Sequence, residues 1–136
     1  MHNKMSDLSK YDLGIHIFNI EAEKYLLDKN YGSYRNALYH KSIIYHSIQD
    51  NKKELELLLQ ICYIDLSGFS NTSIINKNLA FLTPAIISAI KTNDYFNIID
   101  REEFDNLLIT SINKLPFNFD KTFYGKFCND IYERLF

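Results

Sequence analysis

Residues 51–68 read NKKELELLLQICYIDLSG, and the fold class turns on this stretch. Leu55, Leu57, Leu58, Leu59, Ile61, Cys62, Tyr63, Ile64 and Leu66 leave little polar face beyond Glu56, Gln60 and Asp65. A helix that is apolar nearly all round belongs in the middle of a packed domain. The pattern predicts a helix from Lys52 to Leu66, opened by Asn51 and Glu54 in the manner of a capping box and ended by Gly68. Leu58, Leu59 and Cys62 are expected to be almost fully buried, because neighbouring helices must cover them.

On the N-terminal side, Leu8, Tyr11, Ile15, Phe18, Ala22 and Tyr25 alternate spacings of three and four, which places them on one stripe of a helix from Leu8 to Lys29. Ser6 or Ser9 caps its start, and Asn30 and Gly32 are expected to stop it. A second helix runs from Tyr34 to Gln49 with Ser33 as cap. Its stripe includes Lys41, whose stem packs while its amine reaches solvent. The short connections make these helices antiparallel neighbours.

Beyond Gly68, the stretch to Asn78 is the least regular. Thr83-Pro84 reads as an N-cap and first-turn proline of a short helix reaching about Lys91. Asn93-Asp94 marks a turn. Asp100 and Glu103 open a further helix with Phe104, Leu107, Leu108 and Ile112 inward, stopped at Leu115 by Pro116. Asp120 caps a last helix carrying Phe123, Phe127, Ile131 and Leu135. No segment alternates with period two. The expected fold is all-α: five or six helices packed as antiparallel hairpins, as a bundle or a short helical-repeat-like stack. One domain is expected over residues 1–136, with residues 1–7 flexible.

Composition narrows the function classes. A chain of 136 residues is large enough to bury a core without metals or disulfides. Ten Tyr and ten Phe argue against intrinsic disorder. The net charge of −2 and the scattered lysines show no basic footprint for nucleic acid, the densest pair being Lys52-Lys53. Cys62 and Cys128 lie far apart in apolar helical patterns and read as buried thiols, which fits a reducing, cytoplasmic setting. Residues Met1 to Lys10 lack the apolar run of a secretory signal. Leu79 to Ile90, the most apolar stretch, is too short to span a bilayer. Abundant Ile, Asn, Lys and Tyr, all encoded by A- and T-rich codons, point to a low-G+C bacterium or its phage.

The chemistry-bearing residues form no strong motif. Gly14, Gly32, Gly68 and Gly125 cannot build a phosphate-cradling loop. His40 and His46 are six residues apart on one helix, about 240° around it, and cannot share an ion; no metal or cofactor is expected. Asp100, Glu102, Glu103 and Asp105 sit at a helix start, where negative charge meets the positive end of the helix dipole. They would serve acid–base chemistry only if burial split their pKa values. Tyr39, Ile43 and His46 lie off the main stripe of the second helix and, with Arg35, form a second face. That face is either a second buried side or a recognition surface, since Tyr and Arg are enriched at interface hot spots. Ile74 and Ile75, flanked by polar residues, are either folded into the core or a partner anchor at a loop tip.

Two resemblances enter here. Gly32-Ser33-Tyr34-Arg35-Asn36-Ala37 is similar to the G-x-Y-x-x-A turn of tetratricopeptide repeats, although Lys41 stands where a large residue is expected and no 34-residue period follows. The longer stretch from Tyr34 through residues 63–68 (YIDLSG), Phe81-Leu82-Thr83-Pro84 and Leu115-Pro116-Phe117 resembles an uncharacterised helical segment in short proteins of low-G+C Gram-positive bacteria and their phages. That resemblance spans roughly residues 13–136 and implies no activity.

The expected function is non-catalytic binding of another protein, since helical hairpins commonly present protein-binding faces. Its candidate partner-binding residues are Arg35, Tyr39, Ile43, His46, Ile74 and Ile75. A phage source would make an inhibitor of a host defence protein, such as an anti-CRISPR, a concrete version. A homodimer is a further form of the same expectation. Two rivals are a nucleic-acid-binding accessory protein, needing Lys52, Lys53, Lys121 and Lys126 on one surface, and a metal-free enzyme using tyrosines and the acidic cluster.

Overall fold

The computed structural model describes residues 2–67, 84–116 and 121–136, with backbone alone for residues 2–9, 121 and 122. Every regular element among them is an α-helix: α1 (His2–Leu27), α2 (Tyr31–Ser47), α3 (Asn51–Ser67), α4 (84–91), α5 (Asp94–Ile98), α6 (Arg101–Asn113) and α7 (Lys121–Leu135). The all-α class is as the periodicity predicts. The five-residue α5 is an addition at the place read as a turn. No helix among the described residues is long and apolar enough to cross a membrane.

α3 is the centre. Leu55, Leu59, Ile61, Cys62 and Ile64 have no exposed surface, and Leu58 has 2%. α2, α5, α6 and α7 all pack on α3, while α1 packs chiefly on α2. Phe104, Leu108, Phe127 and Ile131 close the core from the α6 and α7 side. The physical cause is the one read from residues 51–68: a helix with almost no polar side is stable only when neighbours remove it from water.

The joints differ from expectation in one instructive way. Asn30 and Gly32 do not stop α1. Lys29 does, with φ of 54°, and Gln49 ends α2 in the same way with φ of 63°. At the first joint the Asn30 N–H donates to Tyr25 O at 2.8 Å and Lys29 N–H to Leu26 O at 3.1 Å. At the second, Asp50 N–H donates to Tyr45 O at 2.9 Å and Gln49 N–H to His46 O at 3.1 Å. Each is a Schellman closure, normally made with Gly or Asn in the left-handed position. The residue that follows then caps the next helix. Asn30 Oδ1 accepts from Ser33 N at 3.2 Å, and Asp50 Oδ1 from Lys53 N at 3.3 Å. So Asn30 and Asp50, and not Ser33 and Asn51, are the caps. Gly32 and the rest of the tetratricopeptide-like motif lie inside α2 and not in the turn. Gly14 serves the packing of the same hairpin: a Cβ there would meet Ile44 Cδ1 at 3.0 Å.

Further along, Asp100 caps α6 as the sequence predicts, whereas Asn93, read as part of a turn, caps the added α5. Asn93 Oδ1 accepts from Phe96 N at 2.9 Å, and Asp100 Oδ1 from Glu103 N at 2.8 Å. α6 ends at Asn113, two residues before the expected stop. Thr83 and Asp120, read as caps, and the segment from Gly68 to Leu82 lie outside the described residues.

Candidate functional site

The second face of α2 divides on inspection. Arg35 is turned inward and has no exposed surface. Its Nε donates to Asp65 Oδ1 at 3.0 Å and its Nη2 to Asp65 Oδ2 at 2.9 Å, a bidentate pair with the Asp65 side chain 3% exposed. Arg35 is therefore a core cation tying α2 to α3, not a recognition residue. Tyr39 is partly buried against the core, its ring 5.9 Å from the Arg35 guanidinium. Ile43 is 45% exposed. His46 projects into solvent, and its Nδ1 lies 2.9 Å from Glu54 Oε2. Glu54 is buried and does not cap α3. Its Oε1 accepts from Asn93 Nδ2 at 2.7 Å, which pins α3 to the start of α5. Ile74 and Ile75 lie outside the described residues.

A further exposed surface, not among the residues singled out from the sequence, lies on α1. The inward stripe is as expected, with Ala22 buried and Phe18 stacked on His40 at 5.2 Å. The opposite side carries a second apolar row: Leu13 is 59% exposed, Ile17 45%, Ile20 55% and Leu27 85%. With Lys24 these positions step by 4, 3, 4 and 3, so they fall within about 80° of one another around the helix. The spacing was available in the sequence. Because α1 is apolar on two sides, only packing reveals which side the domain uses.

A second feature crosses α3. One cleft of about 210 Å³ is lined by Lys41, Tyr45, Lys53, Glu56, Gln60 and Lys114. A second, of about 420 Å³, shares Glu56 and Lys114 and adds Lys52, Tyr95, Glu103 and Asn106. Lys114 Nζ pairs with Glu56 Oε2 at 3.2 Å on the ridge between them. Lys53 Nζ stands 5.7 Å from the Tyr45 ring centre and Lys52 Nζ 6.0 Å from that of Tyr95. Gln60 Nε2 is held by the Ser111 carbonyl at 2.9 Å. Burial, and then the charge of Lys53, lower the pKa of Lys41. Lys52 and Lys53 thus do join other lysines, but the companions are Lys41 and Lys114. Lys126 is exposed on α7 and lines neither cleft.

The acidic cluster does not converge. Asp100, Glu102 and Glu103 are exposed, Asp100 as the α6 cap. Asp105 is partly buried and accepts a hydrogen bond from the Tyr132 hydroxyl, with Arg101 Nε at 3.6 Å. Arg101 lies 4.1 Å over the Tyr132 ring and 4.2 Å over Phe136, which makes this a structural staple between α6 and α7. Among the described residues no His, Cys, Asp and Glu side chains gather with metal-binding geometry. Comparison with family models, with characterised proteins and with solved structures gives no match to this chain.

Proposed function

We propose that this chain is a non-catalytic protein-binding module whose partner docks on the outer side of the α1–α2 hairpin. The observation that carries the reading is the exposed row Leu13, Ile17, Ile20 and Leu27, with Ile43 adding a further exposed apolar side chain on α2. Leaving such side chains in water forgoes roughly 1.5–3 kcal/mol each relative to burial. Exposed apolar rows of this kind mark interaction sites. Steps of 4 and 3 are the spacing with which one helix meets another in knobs-into-holes packing.

The charges beside the row define the partner further. Asp12 and Glu23 flank it on one side and Glu21, Asp28 and Lys10 on the other, with Lys24 within the row, so carboxylates outnumber lysines four to two. An amphipathic helix with an apolar stripe and basic flanks is the complement. In a pair of two copies these acidic flanks would oppose one another, so the row favours a partner of different sequence over a homodimer. Composition points to a low-G+C bacterium or its phage, and for a phage source the concrete form of this reading is an inhibitor that occupies such a helix on a host defence protein.

The test pairs capture with a surface variant. Wild type and Ile17→Glu/Ile20→Glu are immobilised and exposed to lysate of a low-G+C host, and light scattering reports the mass of each alone. The expected result is a monomer that captures a protein through a basic-flanked amphipathic helix, mapped by cross-linking to α1. The double variant should keep its fold by circular dichroism and lose that protein. Undiminished capture by the double variant would sink the reading.

A further inference from the structure

We propose that the lysine-lined cleft across α3 binds the phosphate group of a small phosphomonoester, whose organic part lies in the adjoining cleft beside Tyr95. This stands apart from the α1–α2 surface and does not depend on it.

The lining of the smaller cleft brings together Lys41, Lys53 and Lys114 with one lining carboxylate, Glu56, in about 210 Å³, while Asp50 and Asp12 act on its Tyr45 from outside the lining. Glu56 is engaged by Lys114. The ion pairs among the described residues involve neither Lys41 nor Lys53. Lys41 is half-buried in a stripe where the helix could have carried an apolar side chain. Removing an ammonium from water beside a second ammonium is costly unless an anion arrives between them. The direction of the Lys41 shift agrees, since burial and Lys53 both disfavour its charge.

The cost has a sign that can be measured. A lysine whose folded pKa lies below its unfolded value destabilises the fold at every pH below both, and the penalty fades as pH rises through the folded value. Lys41→Met should therefore leave stability unchanged or raise it.

The adjoining cleft narrows the ligand class. Its charges balance, Lys52 and Lys114 against Glu56 and Glu103, so it offers no second site for an anion. Tyr95 supplies an aromatic surface, and Asn106 and Thr110 supply hydrogen-bonding groups. Such a lining takes a flat polar ring. A phosphate at Lys41 and Lys53, joined to a ring at Tyr95 across the Lys114–Glu56 ridge, is the chemistry of a mononucleotide.

The experiment is an amide NMR titration of the full chain in chloride buffer. The probes are AMP, adenosine, inorganic phosphate and a thymidine oligonucleotide lacking terminal phosphate. The expected result is AMP binding at least about tenfold tighter than adenosine, with amide shifts centred on residues 41, 53 and 114. Inorganic phosphate should move the same amides more weakly. Lys41→Met and Lys53→Gln should each weaken AMP at least about tenfold without lowering the melting temperature. AMP binding equal to adenosine, shifts centred elsewhere, or variants that bind as wild type overturn the proposal. An oligonucleotide that binds tighter than AMP, and tighter with length, also overturns it and assigns the lysines to a nucleic-acid strand.

Discussion

Arg35→Met removes the guanidinium from a buried bidentate pair and leaves the Asp65 carboxylate where it was, with 3% of its side chain exposed. The two hydrogen bonds of 3.0 and 2.9 Å are charge-assisted, and Arg cannot shed its proton to escape burial. Breaking a buried pair from one side costs about 3–5 kcal/mol, because the surviving charge has lost its counter-ion. For a chain of this size that corresponds to a fall in Tm of roughly 10–25 °C. Asp65→Leu should be as damaging, since it leaves a cation with no exposed surface. The pair is also imperfectly satisfied: Arg35 Nη1 is buried and meets no acceptor among the described residues. The desolvation of both ions is therefore only partly offset, and Arg35→Met/Asp65→Leu should recover most of the loss. Urea unfolding followed by circular dichroism closes the double-mutant cycle. An Arg35→Met loss under about 1 kcal/mol, or a double variant as unstable as the two single losses added together, would refute the reasoning.

Four further outcomes are expected. Leu58→Ala should cost about 2–5 kcal/mol in the same assay, and a loss under about half a kcal/mol would contradict the central place of α3. Cys62 is fully buried and burial pushes its thiol pKa up, so iodoacetamide should label it only in denaturant; labelling under native conditions would mean that the core opens. Burial pushes the Tyr34 phenol up to about 12, so folding favours its neutral form; that stability should be lost as pH climbs from about 10 through 12, and Tyr34→Phe should flatten the loss measured by alkaline unfolding. Gln49 holds a left-handed φ of 63°, so Gln49→Gly should raise the unfolding free energy read from urea titration by about 0.5–1 kcal/mol, and a loss would show that the side chain matters more than the backbone.

Residues 51–68 by themselves determined the helical class and the central place of α3, because hydrophobic periodicity is a property of consecutive residues. Asp100 with Glu103 located the start of α6 for the same reason: a cap is satisfied within four residues of chain. The left-handed residues at the two hairpin joints escaped notice because Lys29 and Gln49 are not the types that usually adopt that conformation. Other features were decided only by the tertiary structure. Arg35 stood on a face open to either burial or recognition, and Asp65, thirty positions later, supplied the counter-ion that lets a guanidinium leave water. α1 has two apolar stripes, and packing on α2 chose Phe18 and Ala22 as the inner one, leaving Leu13, Ile17 and Ile20 outside. Lys41 on α2, Lys53 on α3 and Lys114 just past the end of α6 share no sequence pattern. Electrostatic energy depends on distance through space and on exclusion of water, and neither quantity exists until the helices have packed.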